Sequence, residues 1–368
     1  MKKFKNIICS VLALSLTAVF ANMPFSVEAS ESSSDRLSIV SSNFPTFDFV
    51  RAIVGDTADV KMLLKPGAES HAFEPSVDDI KTINNSELFV SVGGENEAWV
   101  DKILSSTDNK VNSVKLIDLV DTVNEEIVEG MEHEHHHDGE EVHKHHDGEE
   151  AHEHHDGEEA HEHHDGEEAH GHHDGEESHE HHDGEEGHSH NHEEVDEHVW
   201  TSPKKAIEIV NKLEERISEL KPDSAEIYRK NADEYISKLE TLDKSFKDIV
   251  SAAKRKTFVF GDRFPLRYFA DEFGLDYYAA FSGCSTQTEA SAATVKFLVD
   301  KVKAENIPVV FKIELSNGRI AEAISKETGA KVLEFNACHN VSKEQFEQGL
   351  TYVDLMQNNL EVLKEALN

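Results

Sequence analysis

Histidine is the residue type in this sequence with the clearest chemical potential. The chain has 25 histidines, and only His71, His198 and His339 lie outside residues 132–197. Neutral imidazole is a good ligand for zinc, copper and nickel. Three imidazoles from separate segments, together with one further ligand, would form a tetrahedral site suited to zinc. The sequence therefore predicts an ordered metal site in addition to whatever the histidine-rich tract binds.

The tract is an internal repeat of HHDGEE with a period of nine residues. Residues 132–197 contain 27 acidic residues and one lysine, and so carry 26 of the 38 net negative charges. Such a segment cannot bury enough apolar surface to offset its ordering entropy, so we expect a disordered loop over residues 132–194. Metal capture explains the histidines, whereas a purely solubilising acidic loop would not need them. The histidines that begin the repeats are the predicted auxiliary metal ligands: His136, His145, His154, His163, His172 and His181.

Charge and apolar patterning exclude several classes of protein. The strongly acidic surface repels phosphate and makes nucleic acid an unsuitable partner. No run of 18 or more apolar residues occurs, which argues against a transmembrane transporter. The run from His133 to His137 formally matches the H-E-x-x-H motif of zinc hydrolases, but that motif works on a helix and not in an acidic, glycine-punctuated repeat. We therefore predict that the protein is not an enzyme.

The N-terminus and the cysteines point to an exported protein. Residues 1–29 have the basic start, short apolar stretch and small-residue cleavage site of a signal peptide. Export leaves Cys284 and Cys338 in the mature chain. In an oxidising compartment this pair could form a disulfide, and the alternatives are two free thiols or a thiolate metal ligand.

Short apolar runs alternate with amphipathic stretches at both ends of the chain, which is the pattern of parallel sheets flanked by helices. We predict an α/β fold of two lobes: residues 30–201, which include the disordered loop, and residues 256–368. The predicted strands are residues 37–40, 60–64, 88–92, 257–260, 309–311 and 331–335, and residues 343–367 form a closing helix.

Residues 202–255 form a predicted helical connector. After Pro222 a single apolar stripe continues for roughly 26 residues, which corresponds to a helix about 40 Å long. A helix of this length could cross a whole domain, so we interpret it as a rigid strut between the lobes rather than a surface helix.

Five short motifs resemble those of the metal-binding solute-binding proteins of zinc and manganese ABC importers. They are NFPTFDF (43–49), PGAESHAFEPS (66–76), GGENEAW (93–99), DEHVWTSP (196–203) and MQNNL (356–360). A histidine-rich and acid-rich insertion just before the second ligand is typical of the zinc-specific members. The resemblance covers essentially the whole mature chain, and it implies two α/β lobes joined by a rigid long helix with metal in the cleft between them.

The resemblance also implies a set of ligands. His71 and His198 match the first two ligands of the family. The third departs from the family, because the segment after the first strand of the second lobe contains Asp262 and Arg263 but no histidine, and Asn336 stands where an Asp is expected. We therefore predict His71, His198 and His339 as ligands, with Asp262 or water as the fourth. Cys338 is an alternative ligand.

These observations together predict a high-affinity Zn²⁺ receptor outside the cytoplasm, in the periplasm or at the cell surface. It would act as a monomer, deliver the ion to the membrane permease of an ABC importer, and collect metal through the histidine-rich loop. The alternatives are a manganese receptor of the same family, which would favour carboxylate oxygen over nitrogen ligands, and a surface metal buffer or adhesin. A zinc hydrolase is the interpretation with the weakest support.

Overall fold

The computed structural model describes residues 36–70, 73–106, 111–131, 194–285 and 289–368. The predicted signal peptide, His71 and the repeat histidines lie outside these residues. No helix in the described part of the chain is both long enough and apolar enough to cross a bilayer.

The first lobe is built on a parallel four-stranded sheet. Its elements are β1 (Leu37–Ser41), α1 (Phe44–Val54), β2 (Ala58–Met62), α2 (Val77–Asn84), β3 (Leu88–Ser91), α3 (Ala98–Ser106) and β4 (Asn112–Lys115). The strand order is β2-β1-β3-β4, and all neighbours are parallel. The inner strands β1 and β3 are almost wholly buried, because helices cover both faces of a parallel sheet.

The second lobe repeats this arrangement. It contains β5 (Thr257–Phe264), α6 (Arg267–Phe273), β6 (Asp276–Ser282), α7 (Ala292–Glu305), β7 (Val309–Ile313), α8 (Arg319–Thr328), β8 (Lys331–Phe335), α9 (Lys343–Glu347) and α10 (Tyr352–Leu367). The strand order is β6-β5-β7-β8, again all parallel. The predicted fold class of two α/β lobes is therefore confirmed.

Two helices connect the lobes: α4 (Pro203–Leu220) and α5 (Ala225–Ala252). The 28 residues of α5 correspond to a length of about 42 Å. This helix packs against α1 of the first lobe and against α6 and α10 of the second, so it spans both lobes as predicted. The predicted apolar stripe is buried through Tyr228, Ala232, Tyr235, Leu239, Leu242 and Phe246. Its last two predicted members, Ile249 and Ala253, are only half-buried, and Ala253 lies just after the helix. The exact domain boundaries stay predictions.

The predicted closing helix over residues 343–367 is wrong in one respect, because it is two helices. Gly349 has a φ of 72°, a left-handed conformation that favours glycine and ends α9. Thr351 then begins α10 with a capping box, in which its side chain accepts from the Asp354 amide and the Asp354 side chain accepts from the Thr351 amide.

Candidate metal site

Two of the predicted histidines meet at the carboxyl ends of the parallel strands, where open α/β sheets bind ligands. His198 precedes a short 3₁₀ turn (Val199–Thr201), and His339 lies in the loop that follows β8. The centroids of the two imidazole rings are 4.8 Å apart, and Trp200 packs at 5.3 Å from each ring. The two residues are 1% and 6% exposed. They come from opposite sides of the helical connector in sequence and converge in space.

His198 is oriented by a carboxylate two residues away. Asp196 Oδ1 accepts hydrogen bonds from the His198 backbone amide at 2.8 Å and from Nδ1 at 2.9 Å. Gly283 of the second lobe packs so closely that a Cβ there would lie 3.1 Å from His198 Cε1. A carboxylate that accepts from Nδ1 leaves Nε2 as the ring nitrogen available to a metal.

His339 is oriented in the same way, but by a residue from a different strand. Glu314 follows β7, and its Oε1 accepts from the His339 amide at 2.8 Å and lies 3.3 Å from Nδ1. Its Oε2 accepts from the Ala337 amide at 2.7 Å. Between these two anchored residues Cys338 has a φ of 63°, a left-handed conformation that costs a non-glycine residue about 1–2 kcal/mol. The three hydrogen bonds to Glu314 therefore hold a strained loop in place.

Burial and local charge favour the metal-binding protonation states. Burial lowers the pKa of His339, the neighbouring His198 lowers it further, and Glu314 opposes both effects. Burial by itself would raise the pKa of Glu314, but the hydrogen bonds from His339 and from the Ala337 amide oppose that effect, and the pKa is lowered. A neutral imidazole beside an ionised carboxylate is the arrangement that metal binding requires.

A cleft with an empty volume of about 440 Å³ opens beside the two rings. Burial raises the pKa of both Glu97 and Glu197 in its wall to about 7. Glu197 accepts from the Asn96 amide at 2.8 Å and from its Nδ2 at 3.1 Å. The apolar part of the wall is formed by Leu64, Phe73, Val92, Trp99 and Trp200. The cleft thus combines two imidazoles, two carboxyl groups and aromatic walls.

Asp262, the predicted fourth ligand, is buried at the end of β5. Burial raises its pKa, and hydrogen bonds from Ser316 and from the backbone of Arg263 and Ile313 oppose that effect. The Arg263 amide donates to Oδ1 at 2.9 Å. Within the described residues there is no group of three or more His, Cys, Asp or Glu side chains that could hold a metal ion. The described chain thus brings together two predicted ligands, and the assignments of His71 and Asp262 stay predictions.

Cys284 and Cys338 are both free thiols in the structure, so the disulfide alternative is not formed there. Burial raises the pKa of both thiols. The carboxyl groups that act on Cys284 are Asp196, Glu125 and Glu197, whereas those that act on Cys338 are Glu314 and Asp48. The two thiols therefore lie in different electrostatic environments.

The two orienting carboxylates, Asp196 and Glu314, were not predicted from the sequence. Asp196 could have been identified from the sequence, because it lies two residues before His198 in the DEHVWTSP motif. Glu314 carries no such signal, because its contact with His339 joins residues 25 positions apart through the pairing of β7 with β8. Only the fold reveals that partner.

Residues 39–366 match the protein family described as zinc-uptake complex component A, periplasmic. The chain is 31% identical over 370 residues to the high-affinity zinc uptake system protein ZnuA of Bacillus subtilis, and the match covers 100% of this chain and 98% of that protein. It is also 31% identical over 368 residues to the zinc-binding lipoprotein AdcA of Streptococcus pneumoniae strain R6. In that case the match covers all of this chain but only 61% of the relative's length.

Solved structures show the same fold. The crystal structure of the Zn(II)-bound ZnuA-like domain of Streptococcus pneumoniae AdcA has a TM-score of 0.63 at 27% identity. The match covers 90% of this chain and 99% of that domain.

Proposed function

This chain belongs to the family of periplasmic A components of zinc-uptake complexes, and from that premise we propose that it binds Zn²⁺ outside the cytoplasm and delivers it to the permease of an ABC importer. The observation that carries the proposal is the pair of buried imidazoles in the cleft, each with its Nδ1 held by a carboxylate. This arrangement presents nitrogen ligands to a single ion. A family of uptake components also agrees with the prediction that the protein is not an enzyme.

The proposed ligands are His71, His198 and His339, with Asp262 or water as the fourth. Zinc is favoured over manganese because imidazole nitrogen dominates this set, whereas manganese prefers carboxylate, carbonyl and water oxygens. The carboxyl groups of Glu97 and Glu197 add negative charge to the cleft when they are ionised, which attracts a cation.

The proposal has three further parts. The protein acts in the periplasm or at the cell surface, it acts as a monomer, and the histidine-rich tract collects metal for the cleft. The density of histidine and acid in residues 132–197 supports the last part, because such a segment raises the local concentration of divalent cations.

A metal titration of the full chain and of a variant that lacks residues 132–194 tests the proposal. An importer receptor is expected to keep one tight zinc site after the deletion, because the cleft residues remain. A metal buffer or adhesin that relies on the tract would lose nearly all of its zinc binding. Isothermal titration calorimetry with Zn²⁺ and Mn²⁺ measures both outcomes, and tighter binding of Mn²⁺ would contradict the choice of metal.

A further inference from the structure

Two loops from opposite lobes are hydrogen-bonded to each other at the edge of the cleft. Asn340 Nδ2 donates to the carbonyl oxygens of Lys65 at 2.8 Å and of Ala68 at 2.9 Å. The Gly67 amide donates to the carbonyl oxygen of Val341 at 2.7 Å. Residues 65–68 follow β2 of the first lobe, and residues 340–341 follow β8 of the second. We call this set of three hydrogen bonds the interlobe clasp.

The side-chain amide of Asn340 is specific for this role. Its two N–H groups both donate across the lobe boundary, while its Oδ1 accepts from the Val341 amide at 2.8 Å. The residue is only 2% exposed. An aspartate of the same size would place a carboxylate against the carbonyl oxygens of Lys65 and Ala68 and would have no proton to donate.

A charged contact crosses the boundary next to the clasp. The Arg263 guanidinium lies 3.7 Å from Glu69 Oε1, and its Nε donates to the Ser285 carbonyl oxygen. The Arg263 side chain is 11% exposed and that of Glu69 is 52% exposed. A pair this exposed contributes little because solvent screens it. It therefore supplements the clasp and does not replace it.

The clasp lies directly beside the candidate metal site. Asn340 follows His339, and the His339 carbonyl oxygen accepts from the Phe44 amide of the first lobe at 3.4 Å. Ala68, Glu69 and Ser70 line one small cavity together with His339 and Asn340. Separation of the two loops would therefore open the side of the cleft at His339.

We propose that Asn340 is a positioning residue whose side-chain amide closes the cleft over the bound metal and sets the rate at which the metal leaves. The inference rests on the proposed function of zinc binding. Interactions that exist only in the closed state shift the equilibrium toward it and slow the opening that precedes release. Two net hydrogen bonds to one side chain correspond to roughly a 10-fold change in rate.

The test compares Asn340→Asp and Asn340→Ala with the wild-type chain. Zinc dissociation is measured by stopped flow with an excess of chelator, association by mixing with Zn²⁺, and stability by thermal unfolding of the metal-free protein. Both variants are expected to release zinc about 10-fold faster, with an association rate within about twofold of wild type. Asn317→Asp is the matched control, because the exposed Asn317 uses only its Oδ1, as acceptor from the Arg319 amide, and is expected to release zinc at the wild-type rate.

A purely structural role would lower the unfolding temperature of the metal-free protein without faster release, and this result would overturn the proposal. If the Asn340 variants do not fold, Glu69→Gln is the second variant, since it weakens the charged interlobe contact with Arg263 next to the clasp. It is expected to accelerate release about twofold at low salt and to reduce the salt dependence of the rate, and an unchanged rate overturns the proposal that interlobe contacts at this edge of the cleft control release. Absence of tight zinc binding in the wild-type chain contradicts the proposed function itself, which is a different result from tight binding with unchanged release.

Discussion

The two lobes share one topology but support their histidines in different ways. In each sheet the first strand of the lobe is an inner strand, and the site lies at the carboxyl ends of the strands. In the first lobe the carboxylate that orients His198 is two residues away. In the second lobe the carboxylate that orients His339 is Glu314, which directly follows β7, the neighbour of β8 in the sheet. It also holds the strained backbone at Cys338. A ligand can thus be fixed locally by sequence or globally by the packing of a sheet.

The cores of the two lobes also differ in the type of side chain that they bury. The second sheet carries a cluster of aromatic rings with centroids about 5–6 Å apart, formed by Phe258, Phe260, Phe264, Phe311 and Phe335. The first lobe buries mainly aliphatic residues in its strands. Because β7 and β8 both belong to the aromatic core, the orientation of His339 depends on the packing of the second lobe, whereas that of His198 depends on a short turn.

The largest expected effect is the loss of either histidine. His198→Ala and His339→Ala should each remove a proposed direct ligand. The expected loss of zinc affinity is therefore larger than the roughly 10- to 100-fold that is typical when a hydrogen-bond partner of a ligand is removed. Competition with a chelator of known affinity measures the change. His154→Ala, within the repeat, is the matched control and should leave the tight site unchanged. Wild-type affinity in His339→Ala would remove that residue from the ligand set.

The second-largest expected effect distinguishes the local carboxylate that orients His198 from the carboxylate of the second sheet that orients His339. Asp196→Asn and Glu314→Gln should each reduce zinc affinity by about 10- to 100-fold, because both disturb the orientation of an imidazole. Glu314→Gln should also lower the free energy of unfolding of the metal-free protein, by about 1–3 kcal/mol, and by more than Asp196→Asn does. The reason is that Glu314 is a buried acceptor of two backbone amides, whereas Asp196 accepts from one. Urea unfolding measures the difference, and equal destabilisation by both variants would contradict the comparison.

A smaller effect concerns pH and the helices that join the lobes. Burial raises the pKa of Glu272 on α6 to about 7, a hydrogen bond from Ser202 opposes this, and the nearby Asp243 on α5 adds to it. A carboxyl group whose pKa is higher in the folded than in the unfolded protein stabilises the fold in its protonated form. This contribution is fully present at a pH below the pKa of the unfolded chain, near 4.5, and it is lost as the pH rises through about 7.

The metal-free protein should therefore lose stability between pH 5 and pH 8, and Glu272→Gln should flatten that dependence. Urea unfolding at the two pH values measures it. Glu97 and Glu197 titrate in the same direction and range, so part of the slope is expected to remain in the variant. A slope as steep as that of wild type would contradict the role given to Glu272.

The smallest effect lies in the loop after β7. Leu315 has a φ of 59° and is 43% exposed, so its side chain gains little from burial while its backbone is strained. Leu315→Asn should stabilise the protein by about 0.5–1 kcal/mol, because asparagine tolerates the left-handed conformation better. Thermal unfolding measures the gain. A loss of stability would show that the apolar contacts of Leu315 outweigh the strain.

Much of the fold could be predicted because the inner strands β1, β3, β5 and β7 each contain a short, mainly apolar run, which is typical of buried parallel strands. The edge strands β4 and β6 were not predicted. Strand β4 reads NSVK, is half exposed and carries no apolar run. The long helix α5 was predictable because its stripe has the helical period throughout.

The site was predictable only where its chemistry is visible in residue type. The rarity of histidine outside the tract identified His198 and His339, and the structure brings these two together. Glu314 and Asn340 act through contacts with residues far away in the chain. Glu314 accepts from the His339 amide, and Asn340 donates to the Lys65 carbonyl oxygen. No local pattern distinguishes these two side chains from other surface-type polar residues.

The bridge between Asn124 and Val195 has a consequence for how this gene product can vary. It joins positions 71 residues apart, one on each side of the repeats in sequence, and Val195 lies three residues before His198. The entropic cost of loop closure grows only with the logarithm of the number of residues, and one more nine-residue unit between these two positions would add only about 0.1 kcal/mol. A change in the number of repeats is therefore expected to leave the geometry around His198 unchanged.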